Sequence, residues 1–130
     1  MTDQISDMLI RIKNAQAVKK ESANIPYSKL KMEIAKILQT SGFLKDFSKK
    51  GKKNNKIINV SLLYDKEGQG RISGLRRVSK LSKRIYRPAA MLRPIKRGAG
   101  LAVVSTSKGM MTDKEARRKK IGGEIFFEIW

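Results

Sequence analysis

The sequence predicts an α+β fold of two small packed modules, an N-terminal helix-strand-helix-hairpin unit over residues 1–65 and a C-terminal, mostly β unit with a short helix over 71–130. Three observations predict it. Apolar residues recur at helical spacing twice before Gly42, and a period-two strand with its turn follows before residue 65. Beyond a polar stretch with two glycines at 65–70, short apolar runs alternate with Gly and Pro breaks and one capped helix start. Each module has about 65 residues, near the size at which an isolated core is marginal, so the two are expected to pack together.

The elements follow in order. Ile5, Met8, Leu9 and Ile12 share one helical face behind Thr2 or Asp3, either of which can cap the first amides, giving a helix over about 3–16. Ala23 to Ile25 suit a short strand ended by Pro26. Ser28 caps a second helix with a stripe of Leu30, Ile34, Ile37 and Leu38, stopped by Gly42 where a positive φ is tolerated. Leu44 to Ser48 and Ile58 to Tyr64 flank a Lys/Gly/Asn turn and form a hairpin. Residues 65–70 read as a linker. Ile72 to Val78 and Arg84 to Tyr86 are strand candidates, Ala89 to Leu92 a helical turn, and Leu101 to Ser105 an apolar strand. Thr112-Asp113-Lys114-Glu115 has the spacing in which hydroxyl and carboxylate satisfy first-turn amides, opening a helix to about Lys119. Gly122-Gly123 breaks it, and Glu124 to Ile129 closes the chain as a strand.

Composition narrows the function. With 30 Lys plus Arg against 11 Asp plus Glu, the formal charge is +19. There is no Cys and no His, which excludes zinc fingers, disulfide frameworks, thiol redox centres and His-based triads. The longest run without a charge, Gly98 to Ser107, is half of the roughly 20 residues that a membrane span requires. No membrane partner is expected. The first seven residues carry two acids and no basic segment of the signal-peptide kind, so the cytoplasm or an organelle's equivalent is the expected compartment.

The charge is unevenly placed. No acid occurs between Glu67 and Asp113, and Arg71 to Arg97 holds ten basic residues. Such a field suits a polyanion, above all nucleic acid, because neutralising phosphates releases counterions; a solvated face kept for solubility is the bland alternative. The only aromatic between 68 and 112 is Tyr86, too few for a row of stacking platforms. Tyr86, between Arg84 and Arg87, either stacks on a base or lies half-buried in a strand.

No catalytic motif emerges. Gly68-Gln69-Gly70 and Gly98-Ala99-Gly100 lack the third glycine of a dinucleotide fingerprint, no phosphate-binding Walker run exists, and the acids do not cluster, so neither enzyme activity nor a cofactor is expected. The segment Ser105-Thr106-Ser107-Lys108-Gly109 carries the most chemistry. Its hydroxyls could meet ribose 2′-OH groups and base edges, Lys108 a phosphate, and Gly109 a close backbone approach. The same residues also fit a polar turn whose hydroxyls bond their own backbone. Lys29 and Lys31, at the start of the second helix, form either a second phosphate site or a solvated first turn.

The run Gly100-Leu101-Ala102-Val103-Val104-Ser105-Thr106-Ser107-Lys108-Gly109-Met110-Met111-Thr112-Asp113-Lys114-Glu115-Ala116-Arg117, followed by Gly122-Gly123-Glu124-Ile125, closely resembles the signature of the family of the eighth protein of the small ribosomal subunit, in its bacterial or organellar form. The opening Asp7 to Asn14, Pro26 to Lys31, Gly42-Phe43, Arg77-Val78-Ser79-Lys80 and Arg84-Ile85-Tyr86 fall in the same family order. The resemblance implies a two-domain, non-enzymatic protein that binds the central domain of small-subunit ribosomal RNA early in assembly, among neighbouring small-subunit proteins. Some members also bind their own operon's messenger RNA. It implies a C-terminal RNA-binding domain that reads a distorted RNA helix from the minor groove. The Ser105-Thr106-Ser107 loop would touch bases, with Lys108, Tyr86 and the Arg77 to Lys80 stretch, Ser79 included, beside it. Two departures stand out. Leu81-Ser82 replaces the usual Pro-Gly, which bears on that loop's backbone geometry, and Phe127 stands near the place of a Cys in many relatives.

Overall fold

The computed structural model describes residues 3–130. They group into two compact α+β units divided between Ile72 and Ser73.

In the first unit, α1 (Gln4–Ala17) starts where the Asp3 carboxylate accepts the Ile5 and Ser6 amides, while Thr2 lies outside the described residues. Its buried face is Ile5, Met8, Leu9, Ile12 and Ala15. After β1 (Ser22–Pro26), the Ser28 hydroxyl accepts the Lys31 amide at 3.2 Å and opens α2 (Lys29–Thr40). The buried stripe of α2 is Lys31, Ile34, Ala35 and Leu38, with Leu30 and Ile37 only half-buried. That face is rotated from the one expected, because the long Lys31 stem and small Ala35 complete an i, i+3, i+4, i+7 set that hydrophobicity alone does not mark. Gly42, at φ +84°, turns the chain into β2 (Leu44–Lys50). This strand, β3 (Ile57–Leu62) and β1 form an antiparallel sheet in the order β1-β3-β2, with Ile58, Val60 and Leu62 inward. Each such fully buried side chain contributes roughly 1.5–3 kcal/mol.

Residues 65–70 are a built turn. The Asp65 carboxylate accepts the Glu67 and Gln69 amides at 2.9 and 2.8 Å, and Tyr64 bridges to Gly70. The Gln16 amide group then brackets Ile72, donating to its carbonyl at 2.8 Å and accepting its N–H at 3.1 Å. Ile72 is therefore claimed by α1, and the strand expected to begin there begins only at Leu75.

The second unit is a five-stranded antiparallel sheet centred on β8 (Gly123–Ile129). On one side β6 (Leu101–Thr106) and then β7 (Gly109–Thr112) pair in turn; on the other, β4 (Leu75–Arg77) and β5 (Tyr86–Arg87) pair with opposite ends of β8. A 3₁₀ turn, Ala89–Met91, and a left-handed turn, Ile95–Gly98, precede β6. The Thr112 hydroxyl accepts the Glu115 amide at 3.2 Å and starts α3 (Asp113–Lys119). Leu92, Ala102, Val104, Met111, Ala116 and Ile125 form the core under α3. Asp113, also buried, accepts the Ala102 amide at 2.9 Å and pairs with Arg117 at 2.5 Å, so α3 is tied to β6 by charge as well as by packing.

Candidate nucleic-acid interface

The Ser105 to Gly109 segment is the β6–β7 hairpin end, where Thr106 pairs with Gly109 and Ser107-Lys108 form the exposed tip. The Thr106 hydroxyl donates to the Gly109 carbonyl at 2.7 Å and accepts the Lys108 amide at 3.1 Å. Gly109 sits at φ +105°, a conformation that would strain any side chain. The two alternatives read from the sequence thus divide between neighbours: Thr106 bonds its own backbone, which fixes the tip, and Ser107 stands outside those bonds with its hydroxyl exposed.

Register brings further groups beside the tip. Ser105 is opposite both Met110 on β7 and Glu124 on β8, and Glu124 is opposite Tyr86 on β5. Directly opposed residues project to the same face, so Met110, Ser105, Glu124 and Tyr86 form one row across four strands, with Ser105 and Tyr86 about 10 Å apart at two strand spacings. Tyr86 is 63% exposed on β5, a two-residue edge strand paired only with β8 among the described residues. The half-buried alternative for Tyr86 is therefore excluded. The one acid in the row, Glu124, is paired with Arg84 at 3.2 Å, which masks its charge toward an incoming anion.

Gly122 and Gly123 explain how the row closes. A Cβ on Gly123 would stand 2.2 Å from the Ser105 carbonyl oxygen, and one on Gly122 would stand 2.4 Å from that of Arg87. These glycines allow close strand approach; α3 ends earlier, at Lys120 in the left-handed conformation, so they are not its breaker.

The 77–87 segment separates surface from scaffold. Lys80, Lys83, Arg84, Tyr86 and Arg87 are exposed. Ser79 is fully buried, its hydroxyl accepting the Ile85 amide at 2.8 Å and donating to the Ile85 carbonyl at 3.2 Å. It has no surface to offer an RNA and instead clips the two ends of the Lys80 to Arg84 loop together, correcting its place among the RNA-touching residues. Arg77 is half-buried and donates to the Phe126 carbonyl, which makes it part of the sheet's frame. The Lys80 and Lys83 backbones exchange hydrogen bonds of 2.8 and 3.1 Å around Leu81-Ser82, and neither of those two residues has a positive φ. The turn closes without Pro-Gly. Phe127 is wholly buried in β8 between Arg77 and Val103.

At the start of α2, Lys29 is exposed, whereas Lys31 is 4% exposed and burial lowers its pKa, with Asp7 opposing and Arg11 reinforcing that shift. Lys31 therefore belongs to the packing of the first unit and not to a phosphate site. Sequence reasoning missed Lys96 and Arg97 as special positions. Both are left-handed, at φ 49° and 58°, ahead of Gly98 at +92°, and both are exposed, with the Lys96 ammonium 4.6 Å from the Trp130 ring centroid. Only Gly98 signalled that turn. Among the described residues, no group of three metal-ligating side chains exists, and no helix is long and apolar enough to cross a membrane.

A family model described as ribosomal protein S8 matches residues 3–130. The chain belongs to the ribosomal protein S8 family. It is 45% identical over 130 residues to the small ribosomal subunit protein uS8 of Halalkalibacterium halodurans, covering 100% of this chain and 98% of that one. The protein of the same name from Synechocystis is 47% identical, with 99% and 98% covered. That from Persephonella marina is 44% identical over 135 residues, with 100% and 99% covered.

Proposed function

We propose that this chain is a structural, non-enzymatic constituent of the small ribosomal subunit that binds the central domain of its RNA directly and helps that domain assemble, with residues 71–130 as the RNA-binding domain. The observation that carries the reading is the row of Ser105, Glu124 and Tyr86 beside the Ser107-Lys108 tip. It sets a hydroxyl and an exposed ring on one face of a unit that carries nine basic residues from Arg76 to Arg97, among which Arg76 and Arg84 are paired with the acids Glu128 and Glu124. The cations hold phosphates, which positions the duplex but reads no sequence. Ser107 and Ser105 supply donors and acceptors for 2′-OH groups and minor-groove edges, and Tyr86 supplies a face for one unstacked base. Lys80, Arg84, Arg87, Lys108 and, in the other unit, Lys29 are the phosphate contacts. Neighbouring small-subunit proteins are the further partners, and the compartment is the one that houses the ribosome, cytoplasmic or organellar. An operon messenger that presents the same RNA shape would compete for the same face, giving translational autoregulation.

Salt titration tests it. With about four to six phosphate contacts from these residues, their share of the log-log slope of affinity against salt should be roughly −4 to −5, and a DNA duplex of matched length should bind much more weakly at moderate salt. A slope near zero, or equal affinity for DNA, would contradict the reading.

A further inference from the structure

The strongest charge feature outside this face is the tip of the β2–β3 hairpin. Residues 48–56 are nine consecutive exposed positions that hold Lys49, Lys50, Lys52, Lys53 and Lys56 and no acid. Among the described residues none of these lysines is in an ion pair, and the nearest acid in sequence, Asp46, accepts its neighbour's Phe47 amide at 2.8 Å. The tip is nevertheless fixed. The Asn55 amide donates to the Lys52 carbonyl at 2.7 Å, and the Tyr27 amide donates to that of Lys56 at 3.1 Å. Gly51 takes φ +99°, and a Cβ there would stand 2.2 Å from the Asn55 carbonyl oxygen. The Lys49 ammonium lies 4.4 Å from the Tyr27 ring centroid.

An edge strand needs a lysine or two to discourage pairing with another chain. Lys52, Lys53 and Lys56 lie beyond the ladder, where that role does not apply, and five like charges on one turn repel each other unless an anion arrives. The tip has lysines only, with no arginine fork for bidentate readout and no hydroxyl or aromatic from 49 to 56 to touch a base. We infer that this hairpin is a second, sequence-independent RNA contact, a lysine finger that neutralises the phosphates of an RNA duplex. The identity of its polyanion rests on the ribosomal RNA reading above; its geometry does not.

The test replaces Lys50, Lys52, Lys53 and Lys56 by Gln in the full chain, and separately by Arg. All four are exposed and Lys50 pairs through its backbone, so an unchanged thermal midpoint is the folding control. Against a short random-sequence RNA duplex and the central-domain RNA, the Gln variant should bind both more weakly, with a slope shallower by up to about 0.9 for each phosphate no longer neutralised. Its preference for cognate over mismatched RNA should not change, and the Arg variant should keep the wild-type slope. An unchanged slope in the Gln variant overturns the finger, a changed preference overturns its sequence independence, and polyglutamate competing as well as the RNA duplex overturns RNA as its occupant. If Ser107→Ala and Tyr86→Ala leave the preference intact while the Gln variant still flattens the slope, the base-reading site fails and the finger stands.

Discussion

Ser79 and Ser107 have the same side chain and opposite employment. The Ser79 hydroxyl holds both backbone groups of Ile85 in the interior, whereas that of Ser107 is presented at a hairpin tip. Alanine at Ser79 would leave the Ile85 N–H without its partner, while the Ile85 carbonyl keeps the Ile125 amide at 2.9 Å, so it should cost about 1–3 kcal/mol in denaturant unfolding; weaker RNA affinity at unchanged stability would return Ser79 to the interface. Lys29 and Lys31 differ in the same way. Because burial lowers the folded pKa of Lys31 below its usual 10.5, the unfolded chain holds that proton more tightly, and stability rises with pH between the lowered value and 10.5. At neutral pH the desolvation penalty is present in full. Lys31→Met, which keeps the apolar stem, should therefore raise Tm at neutral pH, with the gain shrinking as pH approaches 10.5; a lowered Tm at neutral pH would mean that attraction by Asp7 outweighs burial. Neither distinction is legible in the sequence, since a hydroxyl or an ammonium carries no local sign of what will pack over it.

Among the elements, legibility follows length. The two long helices and the β2–β3 hairpin show full periods and are plain in the sequence; β7 and the true start of β4 are not, because three or four residues do not complete a pattern that separates strand from loop. Gly122-Gly123 resembles a helix stop because Gly serves that role as well as permitting close approach, and only the register of β8 against β5 and β6 decides between them. That register makes Gly123→Ala informative. Its Cβ would meet the Ser105 carbonyl oxygen and Val104 Cγ1, at 2.2 and 3.1 Å, so β8 and β6 would have to separate where the hydroxyl row crosses them. We expect a decrease of about 1–3 kcal/mol in stability, as for other overpacked sites, together with weaker RNA binding. Unaltered unfolding and RNA affinity would show that the row does not depend on this close approach.

For the whole molecule, the charge of +19 is the clearest signal in the sequence, and it identifies a polyanion partner without saying how a sequence would be read. On the proposed reading, exposed cations on the C-terminal unit and the β2–β3 hairpin would supply attraction that any nucleic acid feels, and neutral groups at a few fixed positions would discriminate. The most direct test is a titration of central-domain RNA, cognate and mismatched, with the double variant Ser107→Ala, Tyr86→Ala. Both side chains are exposed, so folding should be unaffected. A drop of about 1–3 kcal/mol in cognate preference for each base-directed interaction removed, at an unchanged salt slope, is the predicted result. An intact preference would contradict the assignment of specificity to this row.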